Sequence, residues 1–77
     1  MKFVYSTQAQ NLAALRLRYR NATGVEAAKI ARWLHANLTV AQIKNLFDLT
    51  DAQVTTLRAR FAALRDNLNA IEAARGD

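Results

Sequence analysis

Leu38-Thr39-Val40-Ala41-Gln42-Ile43-Lys44-Asn45-Leu46-Phe47-Asp48-Leu49-Thr50-Asp51-Ala52-Gln53-Val54 is the stretch on which the reading of this chain turns. Twice within it a Leu-Thr pair is followed, three residues after the threonine, by glutamine and then a branched aliphatic residue. A threonine so placed accepts a hydrogen bond from the backbone N–H three residues on, while the glutamine side chain reaches back to the threonine N–H. This capping box satisfies two of the donors that a helix start leaves orphaned. Leu38 with Ile43, and Leu49 with Val54, add the hydrophobic staple that fixes how the chain enters each helix. The spacing predicts a short helix over residues 40–47, a three-residue turn, and a new helix from residue 51.

The same mark recurs upstream. Thr7 with Gln10 and Thr23 with Glu26 are two further candidate boxes, which predict helices over residues 8–21 and 24–36, and the last helix extends to about residue 74. The chain has no proline to interrupt any of them. Leu15-Arg16-Leu17-Arg18-Tyr19-Arg20 alternates with period two, as a strand would. Its Ala, Leu and Arg content favours helix, and no second strand is in sight to pair with. The expectation is an all-α single four-helix domain with a long C-terminal helix. Inward stripes are Ala9, Leu12, Leu15 and Tyr19 in the first helix, and Ala27, Ile30, Ala31 and Leu34, with Trp33 beside them, in the second. Residues 2–5 read as an extended arm.

Val54, Leu57, Phe61, Leu64, Leu68 and Ile71 step by three and four along the last helix, an a/d seam of two and a half heptads. Two uses are open: packing against the first two helices, or homodimerisation through Leu64, Leu68 and Ile71. At about 1.5 Å per residue the helix extends some 36 Å, so its far end is expected to outrun a globule this small.

Seventy-seven residues make one domain with a marginal core. Cysteine is absent, so disulfides and thiolate metal sites are excluded together. The single histidine, His35, has no partner set for a metal and reads as a surface or helix-end residue. Glu26 and Glu72 fit a cap and a helix face, not a general base, and neither Gly24 nor Gly76 belongs to a phosphate-cradling loop. No catalytic constellation, metal or cofactor is implied, and the expected work is binding. The opening residues lack the pattern of a signal peptide and no apolar run reaches a membrane span, so a cytoplasmic protein with no membrane partner is expected.

The net charge of +5 is uneven. Residues 1–38 hold six basic residues against Glu26 alone, whereas residues 39–77 balance five against five. A polyanion or an acidic protein surface is the partner this asymmetry favours, although ordinary solubility accounts for it as well.

Short helix, three-residue turn and long helix, with apolar residues at Ile43, Phe47, Leu49, Val54 and Leu57, resemble the helix-turn-helix transcription regulators over residues 40–59. The outline is similar to four-helix versions such as the LuxR-type domain or the promoter-reading end of sigma factors. The chain departs from the family pattern at Lys44, where a small residue is usual, and at Asp48, where glycine is favoured to accept a positive φ. The resemblance implies a small regulator, of phage or plasmid type, that binds duplex DNA. Gln53, Thr55, Thr56, Arg58 and Arg60 would then face the bases or backbone, with Lys44, Arg16, Arg18 and Arg20 on phosphates. On a helix Arg16 and Arg20 share a face, while Arg18 lies about 200° round. Tyr19 is open between stacking on a base and packing at the rim of the core. Asp48 and Asp51 suit a helix start and oppose a polyanion. They leave open a second reading: a phage-type inhibitor that docks on host RNA polymerase or another host protein.

Overall fold

The computed structural model describes residues 8–76, with side-chain environments from residue 11 onward; the predicted arm and the Thr7/Gln10 box lie outside the described residues. Four helices follow in order, α1 (Gln8–Asn21), α2 (Gly24–Asn37), α3 (Val40–Phe47) and α4 (Asp51–Arg75), and no strand forms among the described residues. The chain is a single all-α domain. Residues 15–20, despite their alternation, are helical. A lone strand has no ladder to join, and in a helix Leu15 faces the core while Leu17 stays 60% exposed.

Two of the expected capping boxes are complete. Thr39 Oγ1 accepts from the Gln42 N–H at 3.2 Å, and Gln42 Oε1 accepts from the Thr39 N–H at 2.8 Å. At the next helix Thr50 and Gln53 repeat the arrangement at 3.2 and 2.9 Å. The Thr23/Glu26 box does not form. Thr23 stands at the N-cap of α2 without a side-chain cap bond. The next residue, Gly24, takes a φ of +59°, and that left-handed step turns the first turn away from the threonine hydroxyl. Glu26 instead approaches Arg18 of α1, at 3.7 Å.

Between α3 and α4 the chain reverses through Asp48, whose φ of 55° and ψ of 60° are left-handed. The Leu49 N–H donates to the Lys44 carbonyl at 2.9 Å and the Asp48 N–H to the Asn45 carbonyl at 3.4 Å. These are the 6→1 and 5→2 bonds of a Schellman ending, with an aspartate in the place that glycine usually takes. A further bond secures this end from outside: Arg16 Nη1 of α1 donates to the Leu46 carbonyl at 2.9 Å, satisfying one of the acceptors left over at the C-terminus of α3.

The core is assembled from all four helices: Leu15, Ile30, Ala31, Leu34, Leu38, Ile43, Phe47, Val54 and Phe61, with Leu12, Tyr19, Trp33, Leu49, Leu57 and Leu64 packed half-buried against it. In α2 it is Ala28 that is buried and Ala27 that is half-exposed, the reverse of the weight the stripe suggested. Tyr19, Phe47 and Phe61 meet edge to face, with ring centroids 5.2–6.1 Å apart.

The heptad seam of α4 closes within the molecule. Val54, Phe61 and Leu68, seven residues apart, are buried, and α4 packs chiefly against α2. Leu68, expected as part of a dimer seam, is 1% exposed and unavailable to a second copy; Leu64 is half-buried against the core, and Ile71 alone of the three is open, at 41%. Arg32 of α2 ties the far end down by a two-pronged contact with Glu72, at 2.7 and 3.2 Å, and a bond to Asn69 at 3.0 Å. α4 is thus held to α2 to within one turn of its end at Arg75. Its 25 residues span about 37 Å, close to the 35 Å length of the whole molecule, whose second dimension is 31 Å. No helix among the described residues is long and apolar enough to cross a membrane.

Candidate functional site

Successive residues of α4 are turned by about 100°, so Gln53, Thr56 and Arg60 fall within about 60° of one another, while Arg58 lies about 200° from Arg60. The residues singled out from the sequence thus divide between two flanks of one helix. On the first flank Gln53, Thr56 and Arg60 are exposed and join Tyr19 and Arg20 of α1 around a cleft of about 480 Å³. Its floor is apolar: Phe47, Leu49 and Leu57. Arg60 stands against the Tyr19 hydroxyl. Burial raises the tyrosine's pKa, and the Arg60 charge and hydrogen bond partly offset that rise. Tyr19 packs edge-on at the rim of the core, so it is not a free stacking platform.

Between the two flanks lies the face of α4 turned away from the core, carrying Ala52, Thr55, Thr56 and Ala59, all exposed. The two threonine hydroxyls donate to carbonyls one turn back, Thr55 to Asp51 at 3.1 Å and Thr56 to Ala52 at 3.2 Å. That leaves each hydroxyl oxygen free to accept.

On the second flank Arg58 is half-buried beside His35 of α2, Val40 of α3, and Thr55, Ala59 and Ala62 of its own helix, which together line a pocket of about 290 Å³. The Arg58 Nε is buried without a hydrogen-bond partner; leaving a buried donor unmet costs about 1–3 kcal/mol. The His35 pKa is lowered, first by burial and then by the charges of Arg58 and Arg65, with Asp66 pulling the other way. Sequence reasoning passed over His35 because its neighbours come from another helix, and no spacing signals that.

Three of the cations expected to meet a polyanion have internal occupations. Lys44 Nζ holds the Asp51 carboxylate at 2.6 Å across the α3–α4 crossing, and this hydrogen bond and charge keep the Asp51 carboxyl below its usual range. Lys44 thus links α3 to the first turn of α4. Arg16 caps α3. Arg18 points to Glu26. Arg16 and Arg20 do share one side of α1, but only Arg20 is exposed there. Arg20, Arg58 and Arg60 have no carboxylate partner among the described residues. No group of three or more His, Cys, Asp or Glu among the described residues could hold a metal ion.

No protein-family model, curated protein or solved structure matches this chain.

Proposed function

We propose that the protein is a small transcription regulator that binds duplex DNA through the α3–turn–α4 unit, with α4 as the recognition helix. The observation that carries this reading is the outward face of the first half of α4. Ala52, Thr55, Thr56 and Ala59 are short and exposed, and Gln53, Arg60 and Arg20 rise along one side of them. Short side chains let a helix sit deep in a major groove, threonine offers a methyl group and a hydroxyl oxygen, and glutamine and arginine pair bidentately with adenine and guanine. Asp51, an obstacle to a polyanion when read alone, is neutralised by Lys44. Of the residues nominated from the sequence, Gln53, Thr55, Thr56, Arg60 and Arg20 remain in the proposed interface; Lys44, Arg16 and Arg18 leave it for the internal roles described above, and Arg58 leaves it because it is half-buried on the second flank.

The test is duplex binding measured against salt concentration. Displacement of counterions by Arg20, Arg60 and their neighbours gives a steep linear fall of log K with log salt; a flat dependence ends the proposal.

One observation favours a second reading, a phage-type inhibitor docked on host RNA polymerase. The floor of the first-flank cleft is aromatic and aliphatic, with an arginine on either side, and an acidic protein surface bearing an apolar anchor fits it better than a sugar-phosphate backbone does. Retention of polymerase from a bacterial lysate, together with no shift of duplex DNA, would select this alternative.

A further inference from the structure

The second flank of α4 carries a feature that neither reading uses. Arg58 directs a buried guanidinium Nε at no acceptor, in a pocket whose other polar groups are the His35 ring and the Thr55 side chain. Among the described residues no carboxylate lies within ion-pair distance of Arg58. Val40, the first residue of α3, also lines the pocket, and a helix start carries partial positive charge. The remaining charges that bear on His35 are those of Arg65 and Asp66, which pair with each other at 3.1 Å; α3 contributes no titratable side chain to the pocket.

We propose that Arg58 and His35 form a binding site for a tetrahedral oxyanion, a phosphate group, on the flank of α4 opposite Arg20 and Arg60. Arginine presents a fork of donors to such a group, and an imidazolium adds a donor and a charge; the Thr55 hydroxyl proton is already given to the Asp51 carbonyl. A pocket lined by an arginine with no carboxylate partner among the described residues is what an anion stabilises on arrival. The proposal is independent of the DNA reading, since a free phosphate and the phosphodiester of a nucleic-acid backbone present the same oxygens.

His35 is the only histidine, so its ring resonances report on the site without overlap. The experiment is an NMR pH titration of His35 in the full chain. It compares chloride with inorganic phosphate at matched ionic strength, and runs sulfate alongside because its charge is constant over the range. An anion beside the ring favours imidazolium, so the apparent pKa of His35 is expected to rise by about 0.5 in phosphate and in sulfate. By linkage, sulfate binding strengthens as pH falls through that pKa. Arg58→Met keeps the apolar stem and removes the guanidinium. It is expected to abolish the anion-dependent shift and to raise the His35 pKa in chloride, because a neighbouring cation is gone. Arg58→Lys, which retains the charge on a flexible chain, covers the case in which the methionine variant fails to fold; it should weaken the response. Identical titrations in chloride, phosphate and sulfate overturn the site, as does an undiminished response in Arg58→Met.

A parallel titration with a random-sequence duplex distinguishes the sources. A rise of the His35 pKa that Arg58→Met removes, with the salt slope reduced by about 1, assigns the phosphate to a nucleic-acid backbone. A response to inorganic phosphate with none to duplex supports the site as one for free phosphate.

Discussion

The two halves of α4 carry one heptad seam but keep different company. In the back half the polar residues are held inside the molecule: Arg32 of α2 grips Glu72 and Asn69, and Arg65 holds Asp66. In the front half the seam is as well buried, at Val54 and Phe61, yet Arg58 and Arg60 face outward or into a pocket with no acidic partner. The same apolar spacing therefore serves two ends. It anchors a helix, and it leaves one section of that helix with unmatched charge. A stretch of well-anchored helix with unmatched cations is where a negatively charged partner gains most.

The sharpest way to break this contrast is to remove the anchor. Phe61→Ala empties a fully buried position at the centre of the aromatic cluster and should cost about 3–5 kcal/mol in urea unfolding. For 77 residues at roughly 0.05–0.15 kcal/mol each, that is a large part of the total stability. Leu68→Ala in the back half should cost about 2–5 kcal/mol by the same measurement; a negligible loss would show that α2 does not seal that end.

Next in size is the proposed front-half function. Arg60→Gln should weaken binding to a specific duplex by about 1–3 kcal/mol if the guanidinium meets a base, whereas Arg20→Gln should lower affinity evenly across sequences and flatten the salt slope by about 1. Equal, negligible effects from both would remove the contrast between the halves as a functional one.

The caps offer a smaller and cleaner comparison. Thr50→Ala should cost about 1 kcal/mol, and Thr23→Ala no more than about 0.5, because only the first threonine accepts a cap bond. Equal losses in thermal melts would mean that the pattern, not the bond, sets the stability.

Smallest is an acid effect in the back half. The Arg32 hydrogen bond, with the Arg32 charge, holds the Glu72 carboxyl below its ordinary range. The stability it contributes is present above the unfolded carboxyl pKa and is lost as pH falls through the lower folded value. Glu72→Gln should therefore flatten the acid limb of a stability-versus-pH curve while leaving the neutral and basic limbs parallel to those of the unchanged chain.

Much of the architecture was legible because its signals are local. Thr39, Gln42, Thr50 and Gln53 lie within a few residues of the bonds they make, and the left-handed residue of the turn, Asp48, stands where the resemblance favours a glycine. Thr23/Glu26 misled for the same reason in reverse: the four residues fit, but Gly24 between them takes a conformation no pattern records. The site was half legible. Periodicity shows that Arg16 and Arg20 share a side of α1. That one of them would meet the Leu46 carbonyl depends on how α1 lies across α3, a tertiary fact. Lys44 with Asp51, Arg32 with Glu72, and His35 beside Arg58 are likewise contacts between helices, beyond the reach of spacing within one.

The bond from Arg16 to Leu46 bears on how the molecule opens. A short helix normally frays from its C-terminus, exposing its last amides to solvent exchange long before the rest of the fold lets go. Here the last turn of α3 is fastened to a neighbour early in the chain, so unwinding it also costs the bond to α1. The amides at Leu49 and along the middle of α1 should accordingly exchange as one cooperative unit.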